Sequence, residues 1–255
     1  MKKLICACAV VLAFNANAQE KQGTVVYQTK VKIEDQVDMS QFDEATRKMI
    51  EDQLRSTLEK TYVMDFNETS SLYKLKDKDA AIGTGIQYKN IKDKRVSIEA
   101  DVIGKPYLVN DSLLHVKWVI GSETKKIAGY KCIKATGTVS SWEGEARKAG
   151  KKGIPDAAAV PDKRKITAWY TPEIPVGQGP ECYWGLPGLI LESNDGATTI
   201  TCSKVTLAKK AQDIKAPTKG EVVTRAVFEE TYHKKIQDMG GGQGGSTKVI
   251  TIGGK

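Results

Sequence analysis

From residue 23 the chain alternates. In GTVVYQTKVKI (23–33), Val25, Tyr27, Thr29, Val31 and Ile33 share one face, which predicts a first β-strand. The period then changes. Over 39–60, Phe42, Ala45, Met49, Ile50, Leu54 and Leu58 recur at helical spacing. Ser40 with Asp43 makes a capping-box-like start, and Glu51 and Arg55 form an i,i+4 pair. This helix is expected to lay its stripe on a sheet; the alternative is an exposed apolar face that binds a partner.

Strand patterns return at Tyr62. TYVMDFN and SSLYKLK flank a hairpin signal at Glu68-Thr69, and further β-like pieces fill 80–103. YLVND and SLLHVKWVI follow. After Gly121-Ser122, KIAGYKCIKATGTV reads as one more strand, and KITAWYT (165–171) as another. GLPGLILE opens the next, and TTITCSKVTL returns after a turn at Asn194-Asp195-Gly196. A charged, helix-like segment over 221–239 has only a weak stripe of Val223, Val227 and Tyr232. Short strands separated by turns predict a mainly β protein with a minor helical part. The expected architecture is an antiparallel sheet, curved into an open half-barrel in one version, with the N-terminal helix packed on one face.

Three segments stand apart. Residues 1–18, MKKLICACAVVLAFNANA, combine Lys2 and Lys3, an apolar run and the small pair Ala16 and Ala18, the pattern of a secretory signal. Its apolar run is about half of the roughly 20 residues a membrane span needs. Lipidation of Cys6 or Cys8 would leave almost no apolar stretch ahead of it, so both are expected to leave with the signal. Residues 140–163 are rich in Gly, Ala and Lys and are expected to be a mobile loop. Residues 240–255 form a glycine-rich tail around a strand-like piece, 247–252, able to add to a sheet edge. Between signal and tail, 19–239 is expected to be a single domain, exported to the periplasm or the outer membrane, with no transmembrane segment.

The formal charge of +8 becomes +6 once the signal is removed. The lysines are scattered and lack aromatic interleaving, so no nucleic-acid partner is expected. No HExxH, GxSxG or paired CxxC motif occurs. GGGQGGST holds Ser246 where a phosphate loop needs lysine, and Gly83-Thr84-Gly85 lacks the third glycine of a dinucleotide site. His115 sits in an apolar strand pattern, and His233 in a charged segment. No catalytic residue, metal or cofactor is expected. Asp111-Ser112-Leu113 fits a sugar-acceptor pattern of some bacteria that glycosylate exported proteins, which makes Ser112 a candidate modification site.

The remaining signal lies between 170 and 192. Gly185-Leu186-Pro187-Gly188-Leu189-Ile190 spells the motif of the GLPGLI family of exported bacterial proteins. Ala168-Trp169-Tyr170-Thr171, Glu173-Ile174-Pro175, Gly179-Pro180 and Gly129-Tyr130-Lys131-Cys132 fit around it. The chain resembles that family, and the resemblance implies export and a β-rich fold without an established activity. Read physically, Leu-Pro-Gly-Leu suits a type II turn, with Gly188 supplying the positive φ. Two roles stay open for the segment. It is either a fold-defining corner or a rigid docking surface built from Tyr170, Pro172, Glu173, Pro175, Tyr183, Trp184, Gly185, Leu186, Pro187 and Gly188. The docking reading makes the protein an accessory factor for an envelope partner. A carrier holding an apolar ligand in a curved sheet is the other class.

Three cysteines remain beyond the signal, which allows one internal bridge. With Asp195-Gly196 as the two-residue turn, Cys202 falls opposite Leu189, near the loop that holds Cys182. Cys182–Cys202 is the favoured disulfide and Cys132–Cys182 the alternative.

Overall fold

The computed structural model describes residues 21–33, 39–76, 85–102, 104–140, 163–210 and 212–240. The expected signal, most of the 140–163 segment expected to be a mobile loop, the tail beyond Gly240 and the His233 side chain lie outside the described residues. Among the described residues, twelve strands and two helices follow one another: β1 (Gly23–Val31), α1 (Glu44–Leu58), β2 (Thr61–Phe66), β3 (Ser70–Leu75), β4 (Ile86–Asn90), β5 (Arg95–Val102), β6 (Lys105–Ser112), β7 (Val116–Ile127), β8 (Tyr130–Ser140), β9 (Lys163–Thr171), β10 (Leu189–Asn194), β11 (Thr198–Leu207), β12 (Glu221–Val223) and α2 (Arg225–Gly240). The protein is mainly β, as its alternation predicts.

All twelve strands join one open sheet in the order β12-β6-β5-β4-β3-β2-β1-β11-β10-β9-β8-β7. Pairing is antiparallel except for β12, which runs parallel to β6. The chain thus makes two meanders, β1–β6 and β7–β11, that meet where β1 pairs with β11.

One connection dictates the shape. β6 and β7 stand ten places apart in the sheet, yet only residues 113–115 join them. In a flat sheet the two strands would lie about 48 Å apart. The link from Ser112 to Val116 spans at most about 15 Å. The sheet must therefore curl until its ends approach each other.

Local chemistry sets the turns. Asn67 Oδ1 accepts from the backbone N–H of Thr69 and Ser70, closing β2–β3 at the expected place. Asp195 Oδ1 likewise accepts from Ala197 and Thr198 and shifts the β10–β11 register. Glu192 faces Thr201 and Asn194 faces Thr199, so the two-residue turn is Gly196-Ala197 and Cys202 falls level with Leu191, not Leu189. β7 also runs on past Gly121-Ser122 to Ile127, through a bulge. The hairpin to β8 turns at Ala128 (φ 49°) and Gly129 (φ 90°), inside the stretch expected to be a single strand.

The N-terminal helix departs from expectation. Asp43 caps it, accepting from Thr46 N–H at 3.0 Å, and Arg55 pairs with Glu59 rather than Glu51. No residue of α1 is buried, and Met49 is 66% exposed. The helix is tied at its C-terminal end, where Lys60 N–H donates to Thr29 Oγ1 (2.7 Å), and it does not cover the sheet. The covering helix is α2, whose Phe228 meets Tyr107 edge-on at 5.7 Å.

Candidate functional site

β9 ends at Thr171 and β10 starts at Leu189. The intervening residues carry four prolines and four glycines, and prolines cannot donate to a ladder. Side chains from distant strands donate to several of its carbonyls instead. Lys89 Nζ, on β4, donates to the carbonyls of Gly179 and of Tyr183 (3.2 Å). Gln87 Nε2 donates to Glu181 O (3.1 Å), and Tyr27 Oη to Ile190 O (2.6 Å). Trp118 Nε1 of β7 donates to Trp184 O, and Trp184 Nε1 returns a bond to Leu114 O, both at 2.8 Å. Glu173 closes the other end by accepting from Lys131 N–H at 2.8 Å. Within the loop, Gly185 N–H reaches Gly177 O, Leu189 N–H reaches Ile174 O, and Ile190 N–H reaches Gln178 O, each at 2.9 Å.

The loop 172–188 is thus seated inside the curl, bonded to β4, β7, β8 and the 113–115 link, while Tyr27 of β1 holds Ile190 at the start of β10. Its seat on the N-terminal meander is polar. Ser71 faces Lys89 across β3–β4, and Tyr73 faces Gln87, so all four side chains point the same way. Ser71 and Lys89 are fully buried. Burial lowers the Lys89 pKa to about 7, against the opposing pull of Cys182 and Glu181. Glu181 is pushed up to about 7 by burial first and by Asp195 second, with Arg164 and Lys89 acting the other way. Arg164 and Asp195 form their own nearly buried ion pair at 3.2 Å.

Two glycines of the motif do different work from the expected turn. Gly188 does not adopt a positive φ, so the Leu-Pro-Gly-Leu segment is not a type II turn. The left-handed residues of the loop are Gly185 (φ 91°) and Glu181 (φ 46°). Gly188 is needed for proximity: a Cβ there would stand 2.1 Å from Thr171 O.

The structure divides the residues expected to form a docking surface. Tyr170, Tyr183, Leu186 and Gly188 are buried, and Pro175 and Trp184 are half-buried. Pro172, Glu173, Gly185 and Pro187 are exposed and form the outer rim. Tyr170 and Tyr183 pack with Ala168, Leu186 and Ile190 and are core residues, not exposed anchors. Ser112 is exposed at the end of β6, and His115 is exposed in the link rather than packed in a strand. Lys89, Gln87 and Trp118, which hold the loop, and Tyr27, which holds Ile190 beside it, were not singled out as site residues in the sequence. Each reads as an ordinary strand position, and only pairing across distant segments gives it a role.

The expected disulfide is not formed; Cys132, Cys182 and Cys202 are all free. Cys202 and Cys132 belong to a cluster with Tyr27, Leu189 and Leu191. Cys182 packs with the group around Tyr183 and Ile190. Neighbouring residues of β10 thus serve different packing regions, and Cys182 and Cys202 are separated by that division. Burial raises the pKa of all three thiols, to about 11 for Cys132 and about 12 for Cys202. Cys132 and Cys202 are expected to behave as small buried hydrophobes, and Cys182 is half-buried. Iodoacetamide should label none of the three in the native protein near neutral pH and all three in denaturant, as read by intact mass.

A hydrogen-bonded loop plugging a curled antiparallel sheet defines the class. Residues 118–192, from β7 to the start of β10, match a family described as Protein of unknown function (Porph_ging). No curated protein matches the chain. Among solved structures it is similar to PNGF-II in two crystal forms. The P21 form has a TM-score of 0.54 at 17% identity, covering 84% of this chain and 34% of that one. The C2 form has a TM-score of 0.52 at 17% identity, covering 84% and 33%. The chain spans about a third of the length of PNGF-II, and the likeness is one of fold. Among the described residues, no group of three or more His, Cys, Asp or Glu is placed to share a metal, and no helix is long and apolar enough to cross a membrane.

Proposed function

We propose that this chain is a GLPGLI-type protein of the cell envelope that acts without catalysis, as an accessory or binding factor for a periplasmic or outer-membrane protein. The observation that carries the reading is the immobilised loop. Residues 172–188 are bonded to both meanders, so the rim of Pro172, Glu173, Gly185 and Pro187 is held rigid before any partner arrives. A surface ordered in advance loses little conformational entropy on binding. The signal-like pattern of 1–18 supports the compartment. The occurrence of this fold within the longer PNGF-II chain supports a module used alongside other functions. Two titratable groups serve the support of the loop: Lys89 of β4 holds its carbonyls, and its own Glu173 holds the β8 backbone.

The carrier reading has less room. The loop occupies the interior of the curl, where an apolar ligand would sit, and fills it with Tyr183 and Leu186, which pack with Ile190 of β10. Native mass spectrometry showing a lipid co-purifying in stoichiometric amount would restore it.

A photo-activatable residue at Pro187 tests the proposal in intact envelopes. A discrete cross-linked protein, lost when the rim is changed by Pro172→Ala and Glu173→Lys, is the expected result. A folded, exported protein that gives no adduct from Pro187 or Pro172 would defeat the reading.

Reciprocal bonding through the two tryptophans makes a narrower prediction. Trp184→Phe keeps most of the ring but removes the donor to Leu114 O. A stability loss of about 1–2 kcal/mol is expected by urea unfolding. A change below a few tenths would show that this bond does not secure the link.

A further inference from the structure

We propose that the outer edge of β7 is a strand-addition site for an extended acidic segment of another protein. The inference rests on the protein-binding reading above and assigns it a second surface and a kind of partner. Among the described residues, β7 closes the sheet order on one side and its backbone ladder pairs only with β8. It is a 12-residue strand in which Lys117 and 119–124 are all exposed. Val119 and Ile120 are 68% and 52% exposed, an unusual apolar pair for a free edge. The opposite margin is short: β12 has three residues and lies beside α2.

Charge decides among the occupants. Glu123, the one acid of β7, is held by Lys134 at 2.9 Å. Lys125 is held by Glu192 at 2.7 Å and lies over the Trp169 ring. Lys117 and Lys126 have no ion-pair partner among the described residues, and both are exposed. The edge thus presents an apolar pair between two uncompensated cations. Edge lysines discourage pairing with like-charged strands. A second copy would bring the same lysines. The chain's own strand-like piece at 247–252 brings Lys248, with Lys255 beyond it and no acid. A strand with acidic ends and apolar alternate positions meets the lysines with complementary charge, and the repulsion excludes the others. Backbone bonding along the edge supplies affinity, and the side chains supply the choice.

The test uses purified protein and a labelled eight-residue peptide of alternating valine and threonine between two glutamates. Eight residues extend about 26 Å, enough to bridge the two lysines across the bulge. Fluorescence anisotropy should show the glutamate peptide binding at least ten-fold more tightly than its lysine-ended twin. The Lys117→Glu/Lys126→Glu variant should invert that order. N-methylation of alternate peptide amides should abolish binding, and amide exchange should slow within 116–127. Equal affinities, no binding, or protection elsewhere would overturn the assignment. So would dimerisation through this edge, or binding that appears only after residues 241–255 are deleted. A partner cross-linked from Pro187 whose capture ignores Lys117 and Lys126 would overturn the edge site and leave the rim reading standing. Peptide binding at β7 without any Pro187 adduct would do the reverse.

Discussion

Gly188→Ala is expected to be strongly destabilising for a single added methyl, costing about 3 kcal/mol or more. The added carbon would lie 2.1 Å from Thr171 O, 2.7 Å from Thr171 C and 3.0 Å from Pro172 N. All three are backbone atoms, at the point where β9 releases the chain and β10 takes it back. Relief requires parting those strands, which would shift Leu189, Ile190 and Leu191 out of fully buried positions. Gly185→Ala is the control. Its Cβ would meet nothing within 4 Å, so only the φ of 91° opposes it. A left-handed backbone costs an alanine about 1–2 kcal/mol. Urea unfolding of the two variants should therefore separate crowding from backbone conformation. Equal losses would mean that Gly188 is retained for some reason other than proximity.

Lys89→Met is expected to lower stability by about 2–4 kcal/mol in mildly alkaline solution, because it leaves the carbonyls of Gly179 and Tyr183 buried without a donor. The pH dependence carries the sign. The folded pKa of Lys89, about 7, lies below its ordinary 10.5. The native state therefore binds fewer protons than the unfolded state between those values. Stability from this group is complete above pH 10.5 and is lost as pH falls through 7. Glu181 runs the other way. Its folded pKa is raised from 4.5 to about 7, so its contribution is complete below pH 4.5 and is lost as pH rises through 7. The two together place a stability minimum near pH 7. In Lys89→Met the rise between pH 7 and 10.5 should disappear, so the loss relative to the parent shrinks as pH falls. In Glu181→Gln the decline between pH 4.5 and 7 should disappear instead. Unfolding free energies measured from pH 5 to 10 would read both. A parent profile flat from pH 6 to 9 would show that neither group is desolvated in the folded protein.

These residues also show where sequence reasoning stops. Alternation in Val25, Tyr27 and Thr29 identifies β1 because a strand needs only local geometry to sort its side chains between two faces. The hairpins near Asn67 and Asp195 were legible as turns for the same reason, since a side chain there bonds the backbone two or three residues on, but the second was read with the wrong turn pair, Asp195-Gly196 in place of Gly196-Ala197. The motif at 185–190 marked the end of the loop, and proline and glycine content marked it as irregular. Its seat was not legible. Lys89 looks like any solvated strand lysine until a carbonyl 90 residues later in the chain lies against it. The exposed stripe of α1 looks the same in sequence as one that covers a sheet, because periodicity records a face and not its partner. The cysteine pairing failed on a similar point. Register and a bulge in β10 decide which residues meet across strands, and both depend on how the sheet curls. Local patterning thus determined the strands, the turns and the β-rich class. The plugged curl, the buried lysine and the free β7 edge were decided only in the tertiary structure, where segments far apart in the chain compete for the same space.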